Sequence, residues 1–166
     1  MRFFTEQKCR MMPYLYREAA RANEAGTPMM RAMMLEFPDD PACDYLDRQY
    51  MLGDAVMVAP VFSEAGDVEF YLPEGRWTHL WRNDEVQGSR WHKQQHDFLS
   101  LPVYVRDNTL LALGNNSQKP ITPGMRVRPS SYSIWMTVAK RSAKSLLRMV
   151  RQSLRCRRNA QAIPLR

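Results

Sequence analysis

Three histidines are the first candidates for chemistry in this 166-residue chain. His92 and His96 stand four residues apart, a spacing that on a helix would place both imidazoles on one face, as in zinc sites. The segment around them lacks helix signals and a third ligand, so we expect two solvent-exposed loop histidines and no metal. His79 lies between Trp77 and Trp81, and we expect it at the surface or at an interface and not as a catalytic base.

Aspartate and cysteine are the next candidates. The segment PDDPACDYLD contains the aspartates Asp39, Asp40, Asp44 and Asp47. Their spacing is not that of a calcium loop and prolines interrupt it, so turn and capping roles are expected. The cysteines are Cys9, Cys43 and Cys156, far apart and without a CxxC pair, which predicts buried or inert thiols. No metal or cofactor is therefore expected.

Aromatic side chains leave two interpretations open. Trp77, Trp81 and Trp91 could stack on a sugar ring, but a β-sandwich core would use the same residues. The paired methionines are interpreted as core packing. GxSxG, Walker, GxGxxG and HExxH patterns do not occur in the sequence, so the residues by themselves assign no catalytic site.

A single long helix is predicted over residues 5–25, with Thr5 as its N-cap and Gly26 as its C-terminal stop. Its buried face is predicted from apolar residues at helical spacing: Met11, Met12, Leu15, Ala19 and Ala22. Pro13 removes a hydrogen bond inside this helix, so a kink or a fresh start is expected there.

After Gly26 the spacing of apolar residues changes from that of a helix to that of an extended chain. Turn residues also recur at short intervals, which is typical of antiparallel β structure. The predicted strands cover residues 29–37, 55–62, 68–72, 77–81, 101–105 and 109–113, with one helical turn within residues 42–49. One shared core is expected to receive Val56, Val58, Val61, Tyr71, Leu80 and Val103. The sheet leaves a face that the helix can cover.

Charge divides the chain into two parts. Residues 1–120 hold 13 Lys+Arg and all 17 Asp+Glu, whereas residues 121–166 hold 11 Lys+Arg and no acid. A basic amphipathic helix is predicted over about residues 138–158. We expect this tail to be poorly ordered or partly helical, with binding to nucleic acid or anionic lipid as the alternative. The sequence shows no secretory or membrane-spanning pattern, so the cytoplasm is the expected location.

One stretch, residues 10–62, resembles a signature of glycoside hydrolase family 31. In that family a PYLY helix is followed by G-x-P-x-M-R, E-F-P, D-x-Q-[YF]-M-L-G and V-A-P-V. These elements occur here in the same order, at residues 13–16, 26–31, 36–39, 47–53 and 58–61. Residues 70–81 and 101–113 also match, and YLDRQYMLGD and WHKQQHDFLSLPVYVR are similar to bacterial α-xylosidases.

The resemblance covers residues 2–120 and implies a mainly β fold with one N-terminal helix. Residues 1–27 would be the last helix of a (β/α)₈ barrel, and residues 28–120 a small proximal antiparallel β-sandwich. The family hydrolyses α-glycosides with retention, using two aspartates on earlier barrel strands. Neither is expected here, nor is any substrate-binding residue. The chain is thus expected to be an inactive remnant, and α-xyloside-type sugars to be substrates of the intact enzyme only.

After Lys119 and Pro120 the resemblance ends. A one-base shift of reading frame would account for the change, so residues 121–166 are expected to be out of frame, without a specific nucleic-acid partner. The alternative for the rest of the chain is a stand-alone carbohydrate-binding module that uses its tryptophans.

Overall fold

The computed structural model describes residues 2–114 and the backbone of residues 132–136. Its helices are α1, Arg2–Ala25, and α2, Met33–Glu36, and a 3-10 turn covers Pro41–Cys43. The strands are β1 Met30–Ala32, β2 Tyr50–Leu52, β3 Val56–Val58, β4 Asp67–Leu72, β5 Arg76–His79, β6 Glu85–Gln87, β7 Arg90–Gln95, β8 Val103–Arg106, β9 Leu110–Gly114 and β10 Tyr132–Met136. The chain is therefore mainly β with one long N-terminal helix, as predicted.

The long helix α1 runs without interruption from Arg2 through Pro13 to Ala25. The predicted N-cap at Thr5 is wrong, because Thr5 lies inside the helix, and the helix does not start afresh at Pro13. Its tertiary contacts outweigh the hydrogen bond that the proline removes. Gly26 ends the helix as predicted, with a φ of 71° and its N–H bonded to the Ala22 carbonyl at 2.9 Å.

The face of α1 that meets the sheet differs from the predicted stripe. Tyr14 and Glu18 are its buried residues, with Met11 and Leu15 packed beside them. Ala19 is exposed. The predicted stripe is therefore confirmed for Met11 and Leu15 and wrong for Ala19, and two polar side chains take the central positions of the buried face.

The six-stranded sheet is antiparallel at every pairing and has the order β1-β2-β3-β8-β5-β6. Its centre is fixed by the register of β3, in which Met57 lies opposite both Met51 and Tyr104. Strands β4 and β7 form a separate two-stranded ribbon, and β9 pairs with β10. The ribbon is stacked on the sheet, which gives a β-sandwich.

Both faces of the sheet are buried. One face packs against α1 through Val56, Val58, Leu80 and Val103. The other packs against the ribbon and contains Met57, Trp77 and Tyr104 together with Phe70, Tyr71 and Leu72. The prediction of one shared core is wrong, because Tyr71 and Val61 belong to the ribbon side. Successive residues of a strand point to opposite faces, so β3 contributes to both.

Several strands differ from their predicted bounds. Residues 29–37 were expected to be one strand, but β1 ends at Ala32 and α2 follows. The sequence pattern missed β2, β6 and β7, and the helical turn within residues 42–49 is the 3-10 turn Pro41–Cys43. Strand β10 lies in the basic tail, whereas the predicted helix over residues 138–158 lies outside the described residues. Among the described helices, none has the length and apolar character that crossing a bilayer requires.

Candidate functional site

The inner face of α1 presents two polar side chains to the sheet. Tyr14 and Glu18 are one helical turn apart and both are buried. The Tyr14 hydroxyl donates to the Leu52 carbonyl at 2.6 Å and accepts from the Ala55 N–H at 3.3 Å. Burial and the nearby charges of Glu18 and Asp54 raise the pKa of Tyr14, so the phenol stays protonated. Tyr14 therefore fastens α1 to the turn between β2 and β3.

Glu18 is a buried carboxylate surrounded by arginines. Its Oε1 lies 2.8 Å from Arg17 Nη2 and 3.3 Å from Arg21 Nη1. Its Oε2 makes no hydrogen bond and lies 3.5 Å from Nη2 of Arg31, which is itself buried on β1. Burying an unpaired carboxylate costs several kcal/mol. Arg17 and Arg21 belong to α1 itself, so Arg31 is the arginine that Glu18 reaches only when α1 is seated on the sheet.

A series of ion pairs extends across the molecule from Glu18. Arg31 donates to the Pro28 carbonyl at 3.0 Å and to Glu36 Oε2 at 2.9 Å. Glu36 Oε1 in turn accepts from Arg106 Nη1 at 3.2 Å, so α1, β1, α2 and β8 are linked in one line. We name Glu18, Arg31, Glu36 and Arg106 the charge chain. Short helix α2, where a strand was predicted, turns Glu36 back toward Arg31.

Asp54 forms a second ionic contact with α1, at the turn between β2 and β3. Arg17 Nη2 lies 3.3 Å from Asp54 Oδ1, and Arg21 donates to Oδ2. Burial by itself would raise the pKa of Asp54, but the hydrogen bond from Arg21 and the charges of Arg17, Arg21 and Arg31 outweigh it and hold the pKa below its ordinary value. Asp54 is therefore ionised at neutral pH.

Gly53 occupies the tightest point of this interface. Its φ is 69°, in the left-handed region that glycine adopts without strain. A Cβ atom there would lie 2.4 Å from Tyr14 Oη and 2.6 Å from Glu18 Cγ. The close approach of helix and turn therefore requires glycine at this position.

Gln49 performs a similar task on the ribbon side. Its side-chain amide donates to the Tyr71 carbonyl at 2.7 Å and accepts from the Tyr71 N–H at 2.8 Å, in the manner of a neighbouring strand. The Tyr71 hydroxyl donates to Asp40 Oδ2 at 3.1 Å, and Asp40 Oδ1 caps the 3-10 turn through the Ala42 N–H. The predicted capping role is confirmed for Asp40.

The structure corrects the predicted positions of the histidines. His96 and His79 are buried, and His92 lies half-buried on β7. They therefore lie neither in exposed loops nor at the surface. His92 and His96 were misplaced because the polar string around them hid strand β7, whereas His79 lies in a strand that was predicted but faces the interior. Within residues 2–114, no group of three or more His, Cys, Asp or Glu side chains is placed to hold a metal ion.

The three candidate tryptophans are in different environments. Trp77 is buried and donates to the Pro73 carbonyl at 2.8 Å. Trp81 packs edge-on against Phe3 and Phe4 of α1. Trp91 is 54% exposed and is the candidate whose ring is open to solvent. The sequence prediction that a sandwich core uses these rings is thus confirmed for Trp77.

The described cysteines are free thiols. Cys43 is buried, Cys9 is half-buried, and Cys156 lies outside the described residues. Burial, with Asp40 nearby, raises the pKa of Cys43 to about 12, so this thiol is not a nucleophile at neutral pH. Cys43 borders an open depression of about 410 Å³, whose other lining residues are Ala32, Met34, Asp44, Tyr45, Leu46 and Asp47.

A helix seated on a two-layer antiparallel β unit, through a buried ionic interface, defines a mainly β domain with one N-terminal helix. Residues 26–111 match the model of the glycosyl hydrolase family 31 C-terminal domain, just over half of the chain. The chain belongs to glycoside hydrolase family 31.

Individual relatives agree with this assignment. An α-xylosidase of Emericella nidulans is 38% identical over 72% of this chain and 16% of its own length. An α-xylosidase of Lactiplantibacillus pentosus is 44% identical over 63% of this chain and 14% of its own. A solved family 31 dextranase of Flavobacterium johnsoniae has a TM-score of 0.73 at 28% identity, over 81% of this chain and 16% of that one. The chain thus spans about one-sixth of the length of these relatives.

Reasoning from single residues missed the ionic interface. Glu18, Arg31, Glu36, Asp54 and Gly53 were not singled out by their chemistry. The available signal was Arg31, a charge between apolar neighbours in a predicted strand. Arg31, Glu36 and Gly53 also lie inside the stretches that carry the family resemblance.

Proposed function

We propose that this chain is the end of a retaining α-glycosidase of the α-xylosidase type and that it is inactive by itself. Residues 1–27 represent the last helix of the catalytic barrel, and residues 28–120 the proximal β-sandwich. The role of the described residues in this proposal is structural. They hold that helix in a fixed position against a rigid sheet.

This proposal rests on the contacts that the motif residues make between elements of the fold. Tyr14, Gly53 and Gln49 each complete a contact between two elements, and so do Arg31 and Glu36 of the charge chain. A retaining glycosidase needs two carboxyl groups about 5–5.5 Å apart beside an open sugar site. Here Glu18, Glu36 and Asp54 are paired with arginines. Such pairs support docking and not acid–base catalysis.

The exposed apolar surface also supports this proposal. Met30, Met34, Leu35 and Tyr45 are exposed by 53% to 92%, and Met34 and Tyr45 border the depression beside β1. Contiguous apolar surface in a soluble protein marks an interaction site. The relatives have over four-fifths of their length beyond the matched part. We propose that their catalytic portion covers this surface in the intact enzyme.

An assay of the purified chain tests the absence of activity. The chain should release no nitrophenol from an aryl α-xyloside, while the full-length α-xylosidase of Lactiplantibacillus pentosus serves as positive control. Turnover that co-elutes with the chain on size exclusion, in proportion to its amount, would contradict the proposal.

A sugar-binding module is the second candidate, because Trp91 keeps an exposed ring that packs against Tyr71 with centroids 5.6 Å apart. Calorimetric titration with xylosides distinguishes it from the scaffold proposal. Binding that the wild type shows and Trp91→Ala loses would establish the module. No heat with either protein is the result expected for a scaffold.

A further inference from the structure

All three histidines of the chain lie around Tyr104 in one layer between the six-stranded sheet and the ribbon, connected through Gln94 and Phe70. His79 ends β5 in the six-stranded sheet, His92 lies on β7 in the ribbon, and His96 follows β7. Each has a buried ring nitrogen without a hydrogen-bond partner: Nε2 of His79, Nε2 of His92 and Nδ1 of His96.

Hydrogen bonds and ring contacts connect these histidines through the layer. His79 Nδ1 accepts from the N–H groups of Trp81 and Arg82 at 3.3 Å, and its ring lies 5.2 Å from the Tyr104 ring, edge to face. The Gln94 side chain donates to the Tyr104 hydroxyl at 3.0 Å, and its Oε1 accepts a hydrogen bond from His96 Nε2 at 3.0 Å. His96 is thus joined to the six-stranded sheet through Gln94 and Tyr104.

The third histidine completes the layer on the other side of Tyr104. His92 stacks on Phe70 at 5.5 Å, and Phe70 packs on Tyr104 at 5.4 Å. The inward positions of the β7 segment are therefore His92, Gln94 and His96, with no apolar side chain among them. This strand is attached to the six-stranded sheet by neutral imidazoles and one amide.

The β4–β7 ribbon is the part of the fold that would separate from the six-stranded sheet if the contacts of this layer were lost. Its two strands bond to each other, and among the described residues β4 and β7 pair with no strand of the six-stranded sheet. The contacts of the ribbon to the sheet are side-chain contacts, with the Gln49 amide as a further link to β4. The opposite face of the sheet is held separately by α1.

The charges around the layer oppose protonation of its rings. Burial lowers the pKa of His79 to about 4, and Arg82 adds to this effect, with His96 contributing further. Burial followed by Arg90 lowers the pKa of His92, and burial followed by Arg82 lowers that of His96. Asp84 and the Leu101 carbonyl favour the charged form of His79, the Gln87 carbonyl that of His92, and Asp97 that of His96. These favourable groups do not outweigh burial.

We propose that His79, His92 and His96 form an acid-sensitive joint, so that acidification loosens the β4–β7 ribbon from the six-stranded sheet while the face covered by α1 stays folded. The sign follows from linkage. A buried histidine with a lowered pKa stabilises the closed form above its ordinary value of 6.5, and this stability is lost as the pH falls below it. Each ring that takes up a proton on opening makes the opening equilibrium about tenfold more favourable per pH unit.

Amide hydrogen exchange on the full chain tests the joint. Between about pH 7 and about pH 4.5, after correction for intrinsic exchange, the protection of β4 and β7 amides should fall at least tenfold per pH unit below 6.5. Protection of β2, β3 and β8 should fall less steeply. A common slope for all these strands would show one global transition and would overturn the proposal.

Two substitutions sharpen the test. His92→Gln and His96→Gln each remove one titrating ring, so each should reduce the slope for β4 and β7, by at most about tenfold per pH unit. Lys93→Gln is the matched control, because Lys93 is exposed on the outer face between them and should leave the slope unchanged. If a variant does not fold, ring-proton NMR of the wild type decides. Titration of all three rings near 6.5 without loss of β4 and β7 protection would contradict the joint.

Discussion

The two faces of the six-stranded sheet are both buried, but polar groups stabilise them in opposite ways. On the helix face, the carboxylates of Glu18 and Asp54 are paired with arginines. On the ribbon face, the polar groups are amides and imidazoles, and the imidazoles are buried in a way that favours their neutral form. The first interface therefore specifies a fixed docking geometry, whereas the second tolerates a local opening. Perturbing each face separately should therefore give different losses and different pH windows.

Gly53→Ala should produce the largest effect on the helix face. The new Cβ would meet Tyr14 Oη at 2.4 Å and Glu18 Cγ at 2.6 Å, and the φ of 69° adds strain. Strain and overpacking together should cost about 3–4 kcal/mol of unfolding free energy, measured by urea denaturation.

Gly26→Ala is the matched control for that substitution. Its φ is 71°, but nothing lies within 4 Å of an added Cβ. Strain alone should cost about 1–2 kcal/mol. Equal losses for the two substitutions would mean that the contact between Gly53 and α1 contributes nothing beyond backbone strain.

Glu18→Gln should cause the next largest loss of unfolding free energy. It keeps the shape of the side chain but removes one of the two carboxylates beside the buried Arg31 guanidinium, leaving Glu36, and it weakens the contacts of Arg17 and Arg21. Breaking a buried ion pair on one side costs about 3 kcal/mol or more. Glu24→Gln, exposed on the same helix, should change stability by less than about 0.5 kcal/mol. A small loss from both variants would show that apolar packing alone seats the helix.

Gln49→Leu tests the ribbon face with a smaller expected loss. It preserves side-chain bulk but removes both bonds to the Tyr71 backbone, which leaves a buried N–H and a buried carbonyl unpaired. The cost should be about 2–3 kcal/mol, with the Tyr71 amide exchanging faster than those of β3. Gln87→Leu on the exposed face of β6 is the control. Unchanged exchange at Tyr71 would argue against the strand-like role of Gln49.

The sequence predicted the fold better than it predicted the contacts. The helix end at Gly26 and the strand at residues 68–72 followed from local turn chemistry and apolar alternation, which are short-range signals. Strand β7 was missed because its inner face is polar, so no alternation existed to detect. The charge chain was missed because Glu18 and Arg106 are far apart in sequence, and their link through Arg31 and Glu36 exists only after folding.

The smallest expected effect concerns Asp54, and it separates the two faces by pH. Because Arg21 and Arg17 hold the pKa of Asp54 below its ordinary value of 3.8, the ionised carboxylate stabilises the fold above that value, and this stability is lost as the pH falls through the lowered pKa. Asp54 is partly exposed, so solvent screening limits the contribution to about 0.5–1 kcal/mol. Asp54→Asn should therefore be less stable than wild type at neutral pH by that amount, and the difference should shrink only below about pH 4. Thermal denaturation of both proteins from pH 7 downward measures it. The ribbon face loses its stability at higher pH, so a difference that already vanishes near 6.5 would place Asp54 in the same titrating unit as the histidines and would end the distinction between the two faces.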